Sequence, residues 1–405
     1  MAKQGPGVAE NHYVTRVLSD WEALDATQWA ALLAHESDPS PFTQLAYLRA
    51  LSDSGSACPE TGWALRLITL WQGECLVAAC ALYLKAHSYG EYVFDWAWAN
   101  AYAEHGLAYY PKALVAVPFT PVPGARLLAV DTAARQALVQ ALLRWCRQEK
   151  LSSLHLLFLQ PRDQAACEAA GLMLRQGVQF HWHNGGEPSG GHGAGESTPW
   201  PDWDAFMASL QQEKRKKIRQ ERRKVAEAGV VFRHAQGSAI APADWDFFYR
   251  CYERTYWEHG NAPYLSRDFF ARLAATQPEH WLLFIAEHGG EPIASSLIAI
   301  DPERGVAYGR YWGAMQRVDC LHFEACYYQP LQWCIAQGYR RFEGGAQGEH
   351  KMARALLPMK TTSAHWLAHP AFAEAVDRFL AREGQGVGQY LEHLAARNPL
   401  KAGPH

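Results

Sequence analysis

A run near the middle of the chain, with almost no apolar residues, constrains the fold most. Residues 184–199 read NGGEPSGGHGAGESTP. Glycine, proline and small polar side chains cannot bury enough apolar surface to offset the entropy lost on ordering. The sequence therefore predicts a mobile linker between an N-terminal domain (1–183) and a C-terminal domain (200–383), with a C-terminal helix and tail at 384–405. A length of 405 residues agrees with two or more domains.

The two parts on either side of this linker show the same order of elements. Each reads strand, strand, strand, helix, strand, helix, strand, so the chain predicts two copies of one α/β (α+β) unit, each a mixed central sheet flanked by helices. The N-terminal elements are strands 76–84 and 92–98, helix 132–149, strand 154–159, a further helix and a strand that ends at Trp182. The C-terminal elements are strands 281–286, 292–300 and 306–312, helix 323–337, strand 339–343 and an apolar run that ends at Trp366.

Composition excludes several classes of protein. A net charge of -3 excludes a general polycation, so any contact with nucleic acid must come from a local patch. The longest apolar run, 76–84, is far shorter than the roughly 20 residues of a membrane-spanning helix. The nine cysteines include no C-x-x-C pair, which predicts reduced thiols in a cytoplasmic protein. The histidines at 181, 183 and 192 lack ligand spacing, so no metal site is predicted.

One segment is strongly basic. Residues 211–228 hold eight basic and three acidic side chains, and Gly229 follows as a helix stop. Leu210, Ile218 and Val225 give this helix a narrow apolar stripe for docking. One interpretation is a solvated helix with Glu–Arg pairs. The other is a binding surface for a phosphate-bearing partner such as tRNA, which would relieve the repulsion between the charges.

Strand 306–313 offers an aromatic and cationic face. Alternation places Tyr308, Arg310 and Trp312 on one side of the strand. An arginine between two aromatic rings can clamp a planar or anionic ligand, or it can form a buried structural ion pair.

Two further polar groups follow this strand. His322 and Glu324 lie at a predicted helix start, where as a pair they could deprotonate an amine, although Glu324 could also simply favour the helix dipole. The segment 343–351 has three glycines and combines Glu343, Glu349, His350 and Lys351 directly after a strand. It matches neither a Walker loop nor a Rossmann fingerprint.

Several of these segments, taken together, resemble a known family. They are KRKKIR (214–219) followed by Gly229, TYWEHG (255–260), YLSRDFF (264–270), YGRYWG (308–313), LHFEACY (321–327), FEGGAQGEHK (342–351) and SAHWLAHP (363–370). The chain resembles the FemAB-like family of peptidoglycan biosynthesis or recognition, within the GNAT acyltransferase superfamily. The likeness is clearest over 205–380 and extends to 35–183.

The resemblance implies two tandem GNAT-like domains, with ligands bound where central strands splay apart. It places Arg215 and Arg219 near substrate phosphates, and it makes Tyr256 and His259 candidate substrate contacts. The activity it implies is amide formation between an activated acyl or aminoacyl donor and an amine acceptor. The donor is aminoacyl-tRNA in Fem enzymes and acyl-CoA in GNAT enzymes, and here it stays open.

Two sequence features bear on the use of CoA. The CoA-binding loop of GNAT enzymes is glycine-rich, whereas residues 316–322 of this chain, at the corresponding place, contain no glycine. The segment REGQGVG (382–388) looks like such a loop. No predicted strand leads directly into it, so we interpret it as an exposed connection.

These observations predict a cytoplasmic acyltransferase whose C-terminal domain holds the active cleft, with no tightly bound cofactor. Glu324 or Glu349 would accept the amine proton, with His322 or His350 as alternatives, and the substrate would contact Tyr308, Arg310, Trp312, Glu343 and Lys351. The N-terminal domain would be a degenerate copy, because it lacks a counterpart of 343–351. The alternatives are a non-catalytic protein that recognises a phosphorylated or cell-wall-derived ligand, an acetyl-CoA-dependent N-acetyltransferase, and a nucleic-acid binder that uses helix 211–228.

Overall fold

A computed structural model describes residues 13–186, 198–346 and 348–401, so most of the predicted linker lies outside the described residues. Over these ranges, thirteen strands form one mixed sheet with helices on its faces. The strands are β1 (Val14–Leu18), β2 (Trp63–Gln72), β3 (Cys75–Lys85), β4 (Lys112–Val115), β5 (Leu128–Ala129), β6 (Ser153–Leu156), β7 (Met173–His183), β8 (Val230–Gln236), β9 (Trp281–His288), β10 (Glu291–Asp301), β11 (Val306–Ala314), β12 (Arg341–Ala346) and β13 (Leu357–Leu367).

The helices flank this sheet and cover its apolar residues. They are α1 (Ala26–Ala34), α2 (Leu45–Asp53), α3 (Trp96–Glu104), α4 (Thr132–Gln148), α5 (Pro161–Ala169), α6 (Trp203–Ser209), α7 (Gln212–Glu227), α8 (Pro242–Glu258), α9 (Arg267–Thr276), α10 (Leu321–Phe323), α11 (Gln329–Ala336) and α12 (Pro370–Ala395). A π-helical turn, Glu324–Tyr328, joins α10 to α11, and a 3₁₀ segment, Glu349–Arg354, follows β12. No helix among the described residues is long and apolar enough to cross a membrane.

The strand order contains the repeat that the sequence predicts. From one edge it reads β1-β2-β3-β4-β6-β13-β7-β12-β11-β10-β9-β8. In each half, four antiparallel strands lead to one parallel pair, which is β4 with β6 in the first half and β11 with β12 in the second. The mixed central sheets flanked by helices are therefore confirmed.

The last strand of each half crosses to the other half. Strand β7 pairs with β12, β13 pairs with β6, and the two exchanged strands pair with each other in antiparallel register. The domain limits 1–183 and 200–383 stay a prediction, but the sheet itself does not divide there. Each half borrows its final strand from the other half.

In the first half, residues of the chain itself fill the space next to the parallel strands β4 and β6. The Arg126 side chain donates hydrogen bonds to the carbonyl oxygens of Leu157 (2.9 Å) and Val122 (2.6 Å). The buried Asp163 carboxylate accepts from the backbone N–H of Arg126 at 2.6 Å, and Gly124 bridges to Leu159. These contacts fill the space next to this parallel pair with groups of the chain itself, and the hypothesis that the first half is a degenerate copy stays a prediction.

Two local expectations were wrong. Residues 92–98 do not form a strand: α3 begins at Trp96, where alternating alanines favour a helix and the buried Trp98 and Tyr102 lie one turn apart on the same face. Strand β4 takes the position that this strand had in the predicted order of elements. The segment 382–388 is not a connection but lies inside α12, which runs through the proposed boundary at 383/384 because Val376, Leu380 and Leu394 anchor its buried face.

Other helices agree with the sequence. The predicted helices 132–149 and 211–228 correspond to α4 and α7, and Gly229 ends α7 with a positive φ of 73°. Ile218 and Val225, two residues of the predicted apolar stripe, are buried.

Two glycines should respond in opposite ways to substitution by alanine. A Cβ at Gly313 would lie 2.0 Å from the carbonyl oxygen of Cys251, so Gly313→Ala pushes α8 away from β11 and should cost about 2 kcal/mol or more. Gly386 lies within α12 with no heavy atom within 4 Å of its Cβ position, so Gly386→Ala should stabilise by up to ~1 kcal/mol. Chemical denaturation of the two variants tests this packing. Equal stabilities would contradict it.

Candidate active-site cleft

The second half has an open cleft because two parallel strands part. Strands β11 and β12 pair over only three positions, from Val306 opposite Arg341 to Tyr308 opposite Glu343. Beyond this point β11 continues along β10, while β12 continues along β7. A cavity of ≈ 140 Å³ lies in the gap, and the π-helical turn closes one side of it. It is lined by Ser296, Gly309, Arg310, Tyr311, Trp312, His322, Cys326, Tyr327, Phe342 and Gly344.

A β-bulge changes which side chains face this cavity. The register of β10 against β11 shifts between Leu297 and Ile298, which leaves Arg310 without a partner in that ladder. Alternation therefore breaks after Arg310. Tyr308 is 2% exposed and packs in the core, where Tyr311 joins it, whereas Trp312 belongs to a different cluster. The expected common face of Tyr308, Arg310 and Trp312 does not form.

Arg310 joins the two halves as well as lining the cavity. Its Nη2 donates to the carbonyl oxygen of Phe119 (3.0 Å) and to the Tyr311 hydroxyl (3.1 Å). Its guanidinium also lies 5.2 Å from the Phe42 ring centroid. Since Phe119 and Phe42 belong to the first half, these contacts hold the cleft-lining Arg310 against that half.

Three ionisable groups that line the cavity, His322, Cys326 and Tyr327, are uncharged near neutral pH, whereas Arg310 is cationic. Burial is the main cause that lowers the pKa of His322 to about 4, with the cations of Arg354 and Lys351 adding to it. Burial also raises the pKa of the Cys326 thiol to about 12 and that of the Tyr327 hydroxyl further still. The cleft therefore holds a neutral imidazole that can accept a proton and a thiol that stays protonated.

His350 lies beside this group. Its Nε2 is 3.3 Å from the Tyr327 hydroxyl, and its ring centroid is 6.5 Å from that of His322. The two histidines that the sequence offered as alternatives are thus brought together, with His322 lining the cavity and His350 behind Tyr327.

Lys351 shapes the glycine wall of the cleft. Its Nζ donates to the carbonyl oxygens of Gly344 (2.6 Å) and Gly345 (3.3 Å), and burial lowers its pKa to about 8. A Cβ at Gly344 would lie 2.4 Å from Leu356 Cδ2, so this position requires glycine. Within 343–351, Gln347 lies outside the described residues.

The three candidate carboxylates lie elsewhere. Glu324 is 4% exposed and accepts hydrogen bonds from Arg222 Nε (3.1 Å) and Gln329 (2.7 Å), on the side of the π-helical turn away from the cavity. Glu349 is exposed, and its bonds from Tyr390 (2.9 Å) and Arg397 (3.0 Å) lower its pKa.

Glu343 is buried on the opposite face of β12 from the cavity-lining Phe342 and Gly344. It lies 3.0 Å from Arg341 Nε and 3.9 Å from His181 Nε2, and burial raises its pKa to about 7. The structure does not bring any of these three carboxylates next to His322.

A basic pocket lies on the other side of the π-helical turn. It measures ≈ 480 Å³, and α7 contributes Arg219, Arg222 and Arg223 to its wall, with Glu324 and Gln329 opposite. Arg222 lies 5.0 Å from the Trp203 ring centroid, while Arg219 and Arg223 are exposed. Arg215, the other candidate, is half-buried and does not line this pocket.

A smaller basic pocket lies between α7 and the 3₁₀ segment. It measures ≈ 220 Å³ and is lined by Lys214, Lys217, Glu349, His350 and Arg397, with Met352 and Ala353. Both faces of α7 next to the π-helical turn therefore present cations.

Tyr256 and His259 lie outside the cleft. Tyr256 packs in a tyrosine cluster, with its ring centroid 4.8 Å from that of Tyr252 and 5.4 Å from that of Tyr264. His259 is exposed at the end of α8, with its Nδ1 2.6 Å from the carbonyl oxygen of Thr255. Both positions fit a structural role.

Sequence reasoning missed several residues of the site. Cys326 and Tyr327 were inside a quoted motif but were not singled out, and Ser296 carried no pattern. A sequence pattern does mark Glu221, because its helical spacing from Ile218 and Val225 places it on the buried face of α7. Among the described residues, no group of three His, Cys, Asp or Glu side chains could hold a metal ion.

Solved structures share this fold at low sequence identity. The C-terminal domain of a protein named as a lysylphosphatidylglycerol synthetase from Agrobacterium fabrum matches with a TM-score of 0.51 and 11% identity, covering 88% of this chain and 95% of that one. L-PGS from Bacillus licheniformis matches at 0.52 and 10%, covering 88% and 97%. FemX matches at 0.53 and 9%, covering 89% and 100%. These likenesses, with the repeat described above, confirm the predicted fold class of two tandem α/β units, each a mixed central sheet flanked by helices.

Comparison at the level of sequence gives the family. No curated protein matches the chain. A family model described as peptidoglycan biosynthesis/recognition matches residues 20–402, which is nearly the whole sequence. That family supports acyl or aminoacyl transfer as the general activity. The resemblance drawn from the C-terminal motifs is confirmed, and the chain belongs to the FemAB-like family.

Proposed function

We propose that this FemAB-like protein is an N-acyltransferase that moves an activated aminoacyl or acyl group onto an amine in the cleft between β11 and β12. The observation that carries the proposal is that two cavities share one wall. Cys326 and Tyr327 of the π-helical turn line the cleft, and Glu324 of the same turn lines the basic pocket. In this proposal, a donor whose phosphates lie on α7 reaches past the π-helical turn and places its acyl carbon in the cleft.

The donor that best fits this surface is aminoacyl-tRNA. The exposed Arg219 and Arg223, together with the lysines of the smaller pocket, suit an extended polyanion. The case for acyl-CoA is weaker, because 316–322 contains no glycine and 382–388 lies inside α12. One structural neighbour also carries a name with a lysyl product. A donor of this kind implies a cytoplasmic site of action.

The reaction needs little from the protein beyond position and proton acceptance. The amine nitrogen forms a bond to the acyl carbon, the ester bond of the donor breaks, and the donor hydroxyl leaves with a proton. The neutral His322 imidazole takes the proton that the amine loses and passes it to the leaving oxygen of the donor, which returns the imidazole to its neutral form. Holding the amine and the ester together supplies much of the rate, since effective molarities in such reactions are high.

One observation favours a second candidate, the non-catalytic recognition protein. Among the described residues, no carboxylate lines the cavity, and both Glu324 and Glu349 are held by arginines. A protein that only binds its ligand needs no free base. Turnover separates the two functions, because a recognition protein binds the donor without consuming it.

The first experiment is a calorimetric titration with coenzyme A, with acetyl-CoA and with charged tRNA. We expect no binding heat from the two CoA ligands and salt-dependent binding of the tRNA. Micromolar binding of either CoA ligand would overturn the choice of donor and favour an acetyl-CoA-dependent N-acetyltransferase.

Removing two arginines should weaken tRNA binding through lost phosphate contacts. For Arg219→Gln combined with Arg223→Gln, we expect the slope of log K against log salt to become shallower by about one for each lost contact. Filter binding at several salt concentrations measures this slope. Arg378→Gln, an exposed arginine of α12 paired with Glu374, is the control and should keep the original slope. An unchanged slope in the double variant would remove α7 from the donor site.

His322→Gln should lower turnover by about 10²-fold, because the cleft loses its proton acceptor. Since the pKa of His322 is about 4, its imidazole is neutral throughout pH 5.5–8, so the ratio of wild-type to variant kcat/KM should be constant there and fall only in stronger acid. Taking this ratio removes the effect of the acceptor amine's own ionisation, which is the same for both proteins.

The matched control for this histidine is His234→Gln on the exposed edge strand β8, which should leave turnover unchanged. Glu324→Gln and Glu349→Gln are measured in parallel, because they test the expectation drawn from the sequence. A ratio that changes near pH 6.5, or a large loss of turnover only in the glutamate variants, would assign the proton acceptor to another group.

A further inference from the structure

Two consecutive residues of α7 hold the basic helix to the wall of the cleft. Arg222 bonds Glu324 of the π-helical turn, as described above. On the preceding residue, the Glu221 carboxylate is 8% exposed, and its Oε2 accepts from Arg354 Nη2 (2.7 Å) and from the Tyr328 hydroxyl. Glu221 is thus an acidic residue, within a strongly basic helix, that points inward.

Arg354 is the residue on which these contacts converge. It is 1% exposed and lies at the end of the 3₁₀ segment. Its Nη1 donates to the carbonyl oxygen of His350 at 2.6 Å, and its guanidinium lies 3.7 Å from the Phe323 ring centroid. One side chain therefore contacts α7, α10 and the 3₁₀ segment at once.

The elements that Arg354 joins are those that carry the reactive groups. His322 is in α10, Cys326 and Tyr327 are in the π-helical turn, and His350 is in the 3₁₀ segment. A π-helical turn is a local departure from regular helix that needs outside contacts to persist, and such turns are frequent at functional sites. Here Tyr328 and Glu324 supply two of those contacts, through Glu221 and Arg222.

We propose that Arg354 is a positioning residue: by pairing with Glu221 it fixes the π-helical turn against the basic helix, so that the helix that holds the donor also sets the geometry of the cleft. The part of this inference that concerns the donor rests on the proposed function, but the effect of Arg354 on the cleft does not. Lysine cannot replace Arg354, since only a planar guanidinium donates to two acceptors in fixed directions while stacking on a ring.

The test uses Glu221→Gln and Arg354→Lys in the full chain. Glu221→Gln keeps the size of the side chain and removes its charge, and Arg354→Lys keeps the charge and removes the second hydrogen bond and the stacking. The reporter is alkylation of Cys326 by iodoacetamide without substrate, followed by peptide mass spectrometry. The thiol lines the cleft, so a displaced π-helical turn changes its exposure.

We expect both variants to alkylate Cys326 at least about fivefold faster than the wild type, because local opening becomes easier. We also expect a lower kcat for amide formation with little change in KM for charged tRNA, since the exposed arginines of α7 remain.

The matched control is Glu36→Gln in the first half, which removes the partner of another buried arginine, Arg135. It should lower thermal stability in the same way while leaving Cys326 alkylation and kcat unchanged.

The outcomes distinguish the role of Arg354 in the cleft from the proposed function of the protein. Unchanged Cys326 alkylation in both folded variants, or an equal increase in Glu36→Gln, would overturn the positioning role. A wild-type protein that neither binds charged tRNA nor turns it over contradicts the proposed function, whereas faster alkylation in the two variants still supports the role of Arg354 in the cleft.

Discussion

The pairing of β7 with β13 is the interaction on which the rest of the structure depends. Nine residue pairs join these strands, from Leu357 opposite His181 to His365 opposite Met173. Each strand is the last of its own half and completes the sheet of the other half. The cleft follows from this exchange: β12 continues along β7, through Ala346 opposite Gln179, while β11 stays with β10, so the two parallel strands must part.

The seam between the halves carries buried polar groups that stay uncharged. His155 of β6 faces His365 of β13, with 2.8 Å between their Nδ1 atoms. Burial lowers the pKa of both, to about 3 for His155, so each ring is neutral and one donates to the other. An uncharged pair meets the need for a hydrogen-bond partner inside the sheet without the cost of burying a charge.

The sequence predicted the fold well where a pattern is local and regular. The basic helix, the strands β9 and β10 and the repeated element order all follow from periodicity. The prediction for residues 92–98 was wrong because alternating tryptophan and alanine fit a strand as well as a helix. The structure shows that Trp98 and Tyr102 share a buried helical face. The strand exchange has no local pattern, since β7 and β13 read as ordinary last strands in either topology.

The site was predicted in outline, and its details depend on long-range packing. The motifs directed attention to 308–313 and 321–327, which contribute residues to the cleft lining, but the bulge at Arg310 and the ion pairs of Glu324 and Glu349 arise from neighbours far away in the chain. A carboxylate near a basic helix has two possible roles, and the sequence cannot separate them.

In this fold the carboxylates hold the basic helix in place. Glu221 of α7 accepts from Arg354 and Tyr328, and Glu324 of the π-helical turn accepts from Arg222, so each carboxylate is bonded to an arginine. Arg219, Arg222 and Arg223 line the basic pocket, whereas Arg310 is the arginine of the cleft. The π-helical turn therefore separates a pocket rich in arginines from the cleft, and the ion pairs of the two carboxylates hold this turn against α7.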